Sequence, residues 1–418
     1  MSEAVSLHDA PWLTSGATAR VLALLNDGGE EARVVGGAVR NALLRLPFGD
    51  IDIATTALPD EVVRRAAAAG IKSVPTGIAH GTVTLIADGQ PFEVTTLRED
   101  VETFGRRARV AFGRDWQRDA QRRDFTLNGL SVDAAGVVHD HVGGLADIAA
   151  RRVRFIGDPD RRIAEDYLRI LRFFRFHAAY GVGELDRAGY LACIRGREGL
   201  SELSAERIGM EMRKLLIAGN ALEAIVAMRD GGLLLPIVLG VAYPQTLARM
   251  IGIERLRGLP PDPMLRLAAL AVAVTEDVRR LGARLRLTNG EVKMLDSMGH
   301  RWWRLGGMDE ATAQRRLYRL GEVRFRDRVM LAWARAGEDA DIGYWQNLLA
   351  LPDRWAVPTF PLKAADFIAR GFTAGPALGH VLSLAEDAWL GAGFPMDAAS
   401  LTAIADQTVA RFARDHKL

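Results

Sequence analysis

Two aspartates one residue apart, Asp50 and Asp52, alternate with Ile51 and Ile53. In a β-strand successive side chains point to opposite faces, so both carboxylates share one side and both isoleucines the other. Carboxylates held side by side repel unless a cation lies between them. Hard oxygen ligands of this kind suit Mg²⁺, which takes one or two carboxylates and completes its shell with water and substrate phosphates. Upstream, Gly36 and Gly37 follow the apolar run Ala32 to Val35 and open a helix expected over Ala38 to Arg45. Glycines there let a backbone approach a phosphate, and a helix N-terminus offers free N–H donors. Arg40 adds a fixed positive charge in that first turn. A phosphate cradle joined by a short loop to a metal-binding strand describes a nucleotidyl-transfer site. Glu93 alternates with Phe92 and Val94 and so faces away from the apolar side. It is either a third carboxylate of that site or a surface strand residue.

Two further clusters carry polar chemistry. Arg122-Arg123-Asp124-Phe125-Thr126-Leu127-Asn128 can hold phosphate and ribose hydroxyls together, since Asp accepts and Asn both donates and accepts. Around Glu165, the spacing predicts one helix with Tyr167, Ile170, Leu171 and Phe174 as its buried stripe. Glu165, Arg169 and Arg172 fall on the opposite face, with Asp166 at its edge. Glu165 can fix the Arg169 guanidinium at i, i+4. Asp166 and Arg169, at i, i+3, present an acceptor beside a forked donor, an edge resembling that of a base. A carboxylate seeking an exocyclic amine selects C and A against U and G.

The elements that must position these groups are legible in outline. A helix is expected over residues 12 to 26. Strands are expected at Ala32–Val35, Asp50–Ala54, Thr82–Ala87 and Pro91–Leu97, the last two joined by an Asp88-Gly89 hairpin turn. Asp60 to Gly70 is Ala-rich and helical, and a short hairpin near Leu130–Asp140 turns at Ala135-Gly136. Strand signals then nearly vanish, and helical patterns run from Ile163 to the end. The charged, glycine-broken run Thr96 to Arg107 reads as a mobile loop. The fold class is therefore α+β, a small α/β head followed by an all-helical remainder. No internal repeat or low-complexity tract is visible.

At 418 residues the chain is long enough for two to four compact units. The only cysteine, Cys193, excludes an internal disulfide and a cysteine-based zinc cluster and fits a reducing cytoplasm. The start MSEAVSLHDAPWL lacks a basic region followed by an apolar core, so no signal peptide is expected, and no apolar run reaches membrane-spanning length. A net charge of +2 does not advertise a nucleic-acid binder, so local clustering must carry any RNA contact. Candidates are Arg279, Arg280, Arg284 and Arg286; Arg301 and Arg304 around Trp302 and Trp303; Arg315, Arg316 and Arg319 around Tyr318; and Arg324, Arg326 and Arg328. Each is either a phosphate-tracking face or a helix surface with its aromatics in the core.

The chain resembles the class II CCA-adding enzyme and bacterial poly(A) polymerase family. The resemblance rests on Gly36-Gly37-Ala38-Val39-Arg40-Asn41 followed by Asp50-Ile51-Asp52, on Arg122 to Asn128, on Glu165-Asp166-Tyr167-Leu168-Arg169, and on Glu206-Arg207 with Glu211, Lys214 and Leu215. It covers roughly the first half, with a weaker echo from Pro361 to Phe394. Asn41 replaces a common aspartate, and Gly129 a usual alanine. The resemblance implies a nucleotidyltransferase head (1–140), a neck that recognises the base (141–218), and a body (219–350) and tail (351–418) that bind RNA. It implies Asp50, Asp52 and Glu93 as catalytic carboxylates, Asp50 and Asp52 as Mg²⁺ ligands. It implies nucleotide contacts from Gly36, Gly37, Arg40, Arg123, Asp124, Asn128, Glu165, Asp166, Arg169 and Arg172. Arg122 to Asn128 would recognise ribose, and the loop Arg98–Arg107 would help switch the pocket from C to A. The expected activity is addition of C, C and A to a tRNA 3′ end from CTP and ATP, releasing pyrophosphate, with no nucleic-acid template, no membrane and no protein partner. Pro75-Thr76-Gly77-Ile78-Ala79-His80-Gly81-Thr82-Val83 resembles the CCA-adding branch more than the polymerase branch. Poly(A) synthesis, partial C or A addition, and an inactive RNA-binding scaffold remain alternatives.

Overall fold

A computed structural model describes residues 5–78, 81–104, 107–299 and 305–415, with backbone alone at Thr76 and 99–111. The chain opens with Pro11–Thr14 (α1) and Gly16–Leu25 (α2), where one helix was expected. The break is at Ser15, which is extended, and Gly16, whose φ of 67° suits a glycine. Ala32–Val35 (β1) leads through Gly36, at φ 70°, into Gly37–Leu43 (α3). Then come Ile51–Thr55 (β2), Pro59–Ala68 (α4), Lys72–Gly77 (β3), Thr82–Ala87 (β4) and Gln90–Thr96 (β5). Asp88 and Gly89 both take positive φ, 50° and 77°, the turn that matches the twist of a tight hairpin. Where a mobile loop was expected, the backbone of Arg98–Phe104 (β6) pairs with Arg107–Phe112 (β7) as a separate hairpin; Gly105 and Arg106 lie outside the described residues. Pairing needs only backbone hydrogen bonds, so a charged run without alternation can still form such a ribbon.

After Trp116–Gln121 (α5), Leu130–Val132 (β8) and Val138–Asp140 (β9) complete a seven-stranded sheet of order β3-β4-β5-β2-β1-β8-β9. All neighbours run antiparallel except β2 and β5, which are parallel. Val34, Ile53, Val83, Leu85, Phe92 and Val94 are buried in one cluster with Val21, Leu22 and Leu25 of α2 and Val62 of α4. The alternate positions of β2 and β5, Asp52 and Glu93, are left exposed.

Helices then dominate: Gly144–Ala149 (α6), Pro159–Glu165 (α7), Leu168–Tyr180 (α8), Arg187–Arg195 (α9) and Ala205–Leu216 (α10). The single helix expected around Glu165 is interrupted. Asp166 is extended (φ −158°, ψ 104°), and its Oδ1 accepts from Leu168 N at 3.1 Å. Tyr167 therefore caps α8 rather than lying within its stripe, while Ile170, Leu171 and Phe174 are buried as expected, with Phe173 and Phe176. Phe125, Phe155, Phe173 and Phe176 form an aromatic cluster with centroids 4.9–6.3 Å apart. Gly199 leaves room for the Tyr167 ring: a Cβ there would lie 2.1 Å from it. Gly199→Ala should destabilise the protein by about 1–3 kcal/mol through overpacking, read as a lower denaturant midpoint at unchanged slope. An unchanged midpoint would show that the ring can move aside freely.

The chain divides into two compact units, residues 1–244 with 279–288, and residues 245–278 with 289–418. In the second, Trp389 is fully buried among Phe367, Val381, Ala385 and Phe412. No helix among the described residues is long and apolar enough to cross a membrane. Cys193 is buried and unpaired, and burial pushes its thiol pKa well above the ordinary value.

Candidate active site

The parallel pairing of β2 and β5 sets Asp52 directly across from Glu93, and Val35 of β1 lies on its other side. Asp50 sits just before β2. The Asp52 carboxyl is pushed above its ordinary value, first by desolvation and then by the Glu93 carboxylate, with Asp50 adding to this and Arg123 opposing it. Three carboxylates thus act on one another electrostatically. No group of three or more His, Cys, Asp or Glu among the described residues forms a ready-made metal cage. A Mg²⁺-type ion needs only one or two carboxylates beside phosphate oxygens, so Asp50 and Asp52, with Glu93 alongside, fit such an ion.

Asp52 opens onto a cleft of about 480 Å³ lined by Gly36, Gly37, Arg40, Arg123, Asp124, Asn128, Asp166, Arg169 and Arg172, together with Arg175, Phe176 and Arg207. Six guanidinium groups face three carboxylates there, a surplus of positive charge that suits a triphosphate. The turn at Gly36 lets Arg123 approach: a Cβ at Gly36 would lie 3.3 Å from Arg123 Nη1. Arg123 is steadied by Asp119, at 3.1 Å from Nη2.

One connected network forms the floor. Arg40 is buried; its Nη1 donates to Asn128 Oδ1 at 2.6 Å, and its Nη2 donates to Asn41 Oδ1 and to the Tyr180 hydroxyl, both at 2.8 Å. Burial, with Arg175 and Arg172 nearby, lowers its pKa despite the opposing influence of Tyr180 and Asp124. Asn128 in turn donates to Asp124 Oδ1 at 2.9 Å, which also accepts from Phe125 N at 2.9 Å. Asp124 Oδ2 accepts from Arg172 Nε at 2.8 Å and Nη2 at 2.5 Å. Burial raises the Asp124 pKa, but the Arg172 charge and the Asn128 amide outweigh it, and the group stays below the ordinary carboxylate range. Four N–H donors therefore converge on Asp124, which makes it a hub that orders the arginines. Arg175 Nε donates to buried Glu211 of α10 at 2.5 Å and lies 4.2 Å over the Phe176 ring.

The base-selecting edge assembles around the break between α7 and α8. Arg169 Nη1 donates to Glu165 Oε2 at 2.7 Å and to the Arg162 carbonyl at 2.6 Å, the i, i+4 pose expected from the sequence. Asp166 pairs with Arg207 of α10, at 2.7 Å, rather than with Arg169. Arg162 ties this turn to the Arg122–Asp124 segment through Glu165 and the Arg123 carbonyl, the latter at 2.6 Å. Glu165 itself lines a second cleft with Arg98, Arg118 and Arg122, and so reaches the nucleotide cleft only through Arg169. Asp50 lines a third cleft with Trp12 and Phe48. Neither Asp50 nor Glu93 is among the residues lining the main cleft.

Arg175, Arg207 and Glu211 were absent from the expected site. Their signal was the i, i+4 spacing of Arg207 and Glu211 in the fourth motif and the i, i+3 spacing of Arg172 and Arg175. The two departures from the family pattern have local explanations. Asn41 holds Arg40 with its oxygen and donates Nδ2 to the Pro47 carbonyl at 2.6 Å, which an aspartate cannot do. Gly129 faces Val142, whose Cγ2 would stand 2.6 Å from a Cβ.

Many of the arginines considered for RNA contact are engaged elsewhere. Arg284 donates to the Leu200 carbonyl at 2.7 Å, Arg319 pairs with Asp387 at 2.6 Å, and Arg326 with Asp353 at 2.8 Å. Tyr318 packs against Trp389, and burial with the Glu386 hydrogen bond pushes its hydroxyl up to about 12. Arg301, Trp302, Trp303 and Arg304 lie outside the described residues.

Residues 32–154 match the Poly A polymerase head domain family, and residues 191–243 match a family described as the probable RNA and SrmB-binding site of polymerase A. The mitochondrial CCA tRNA nucleotidyltransferase 1 of Mus musculus is 34% identical over 88% of this chain and 84% of its own length. The CCA-adding enzyme of Limosilactobacillus fermentum is 30% identical over 87% and 89% respectively. The crystal structure of the Bacillus stearothermophilus CCA-adding enzyme in complex with CTP superposes with a TM-score of 0.73 at 28% identity, over 94% of this chain and 98% of that one. A carboxylate strand beside an arginine-lined cleft, likeness over the full architecture and kinship over most of the length together identify this chain as a member of the CCA-adding enzyme and poly(A) polymerase family.

Proposed function

We propose that this chain is a CCA tRNA nucleotidyltransferase that adds C, C and A to the 3′ end of tRNA from CTP and ATP. The observation that carries this reading is the Asp52–Glu93 pair at the mouth of a guanidinium-rich cleft that also holds Asp166 and Arg169. The RNA 3′-hydroxyl oxygen bonds to the α-phosphorus, the bond to the β-phosphate bridge breaks, and pyrophosphate leaves with its electron pair. The hydroxyl proton passes to solvent. Enzymes of this family use a divalent metal; Mg²⁺ is the ion we assign to Asp50 and Asp52, and when bound it offsets charge developing on the reacting oxygens. Arg123 and the Gly36-Gly37 turn hold the phosphates. Arg40, Asn128 and Arg172 act through Asp124 to fix the cleft's arginines. Asp166 accepts from the exocyclic amine of C or A, and Arg169 donates to the adjacent ring acceptor. Head (1–140), neck (141–218), body (219–350) and tail (351–418) are the divisions we assign, with RNA held by the last two. The single, buried Cys193 supports a cytoplasmic setting.

Labelled CTP, ATP, UTP and GTP should be offered separately and together to tRNA ending at the discriminator base, with Mg²⁺, and product lengths read on a gel. Three additions requiring both CTP and ATP are expected. A long ladder from ATP alone would make the chain a poly(A) polymerase, and no extension with retained RNA binding would make it an inactive scaffold.

A further inference from the structure

Two clefts flank the carboxylate strand, and their chemistry differs. Asp52 lines the arginine-rich one, whereas Asp50, two residues earlier, lines a cleft of about 590 Å³ on which no arginine or lysine borders. Its walls include Trp12, Phe48 and Pro91, with Ser15 and Gln90 as polar groups and Asp50 as the only charge. The Trp12 and Phe48 rings meet edge to face with centroids 4.8 Å apart, and both are half-buried, so each keeps surface available. A triphosphate would meet there only the repulsion of Asp50. A nucleobase, flat, apolar on its faces and uncharged, suits such a wall, because stacking on aromatic side chains is open to every base.

In-line displacement puts the attacking oxygen and the leaving group on opposite sides of the phosphorus. With the triphosphate in the arginine-lined cleft, the attacking hydroxyl must come from the other side of Asp50 and Asp52. We infer that the Trp12–Phe48 cleft receives the 3′-terminal nucleoside of the RNA, its base packed on these rings so that its 3′-hydroxyl reaches the Asp50–Asp52 pair. This rests on the nucleotidyl-transfer reading above and adds the binding site of the second substrate. It also accounts for the wall's neutrality: stacking without base-specific charge accepts a discriminator base of any identity, and then C.

The test uses full-length protein and an RNA primer whose 3′-terminal base is 2-aminopurine, which loses fluorescence on stacking. Wild-type protein should quench it without added nucleotide. Trp12→Leu and Phe48→Leu should lose that quenching and raise KM for the RNA roughly tenfold, the range of one lost stack, while KM for CTP stays unchanged. Trp12 also packs against the core; if its variant melts early, Phe48→Leu carries the test. A primer lacking the terminal base should bind wild type and Phe48→Leu alike. Unchanged quenching and RNA KM in Phe48→Leu would overturn the inference, as would losing them instead in Arg118→Gln or Arg122→Gln of the other basic cleft. Quenching needs no turnover, so a protein that quenches but incorporates nothing would refute the reaction and leave the cleft assignment standing.

Discussion

Asp52→Ala and Asp52→Asn are expected to lower the rate of nucleotide incorporation on the order of a thousandfold or more while leaving RNA binding within about twofold. Charge stabilisation at a metal-assisted phosphoryl centre is worth several kcal/mol, and each 1.4 kcal/mol is about tenfold in rate. RNA affinity draws on phosphate and stacking contacts to which one exposed carboxylate adds nothing. The same substitution should act in the opposite direction on stability. The Asp52 pKa is raised in the folded protein above its ordinary 3.8, by desolvation and by Glu93. A group raised in this way favours folding below its unfolded pKa, and that contribution is lost as the pH climbs through the folded value. At neutral pH the metal-free protein therefore carries an unfavourable carboxylate, which Asp52→Asn removes. Without divalent ions the variant should melt at or above wild type near pH 7, with the difference closing at about pH 3, where both side chains are neutral. Added Mg²⁺ should raise the wild-type melting temperature and leave the variant's unchanged. An Asp52→Asn protein that melts far below wild type would show Asp52 holding the fold rather than the reaction, and near-normal incorporation would remove it from the site.

The carboxylate strand was readable because one physical rule governs it. Period-two alternation fixes which residues share a face, and Ile51, Asp52, Ile53 together with Phe92, Glu93, Val94 give two alternating runs that only a sheet satisfies. Their parallel, in-register pairing was not readable, since it depends on a connection through α4, β3 and β4. Strand β3 itself escaped notice because Lys72 to Gly77 contains Pro75, which a central strand excludes. It stands at the sheet edge, where a missing N–H costs little. The break at Asp166 was hidden for the opposite reason. Arg161 to Phe174 carries no glycine or proline, and its apolar residues keep helical period through the interruption. Only the capping chemistry of Asp166 ahead of Leu168 marks it. That break matters for the site, because it frees Asp166 from the helix face and hands it to Arg207, a partner 41 residues away. Asp124 shows the same limit. Its type and place were evident, but the four donors that converge on it come from its own segment and from α8, and no local pattern announces them.

Arg169→Ala should relax base choice more than it lowers overall turnover. Among the described residues both hydrogen bonds of Arg169 use Nη1, on Glu165 and the Arg162 carbonyl, leaving Nε and Nη2 without a protein partner. One arm of the guanidinium is thus anchored, and the rest of its rigid fork is available to a base. Asp166 beside it, held by Arg207 and Leu168 N, supplies the acceptor. Cytosine and adenine offer an amine to that acceptor, whereas uracil and guanine place a carbonyl against it. A paired donor and acceptor reading a base edge are worth about 1–3 kcal/mol, so the preference for CTP over UTP should fall roughly 5- to 150-fold in the alanine variant. Glu165→Gln keeps the fork but removes the charge that anchors it, and should produce a smaller loss in the same direction. General damage to the cleft would depress all four nucleotides alike and leave the ratio intact. Measured as kcat/KM for each nucleotide on the same primer, an unchanged CTP-to-UTP ratio in Arg169→Ala would show that selection lies with Asp166 and Arg207 alone. In that case Asp166→Ala would have to abolish the preference by itself.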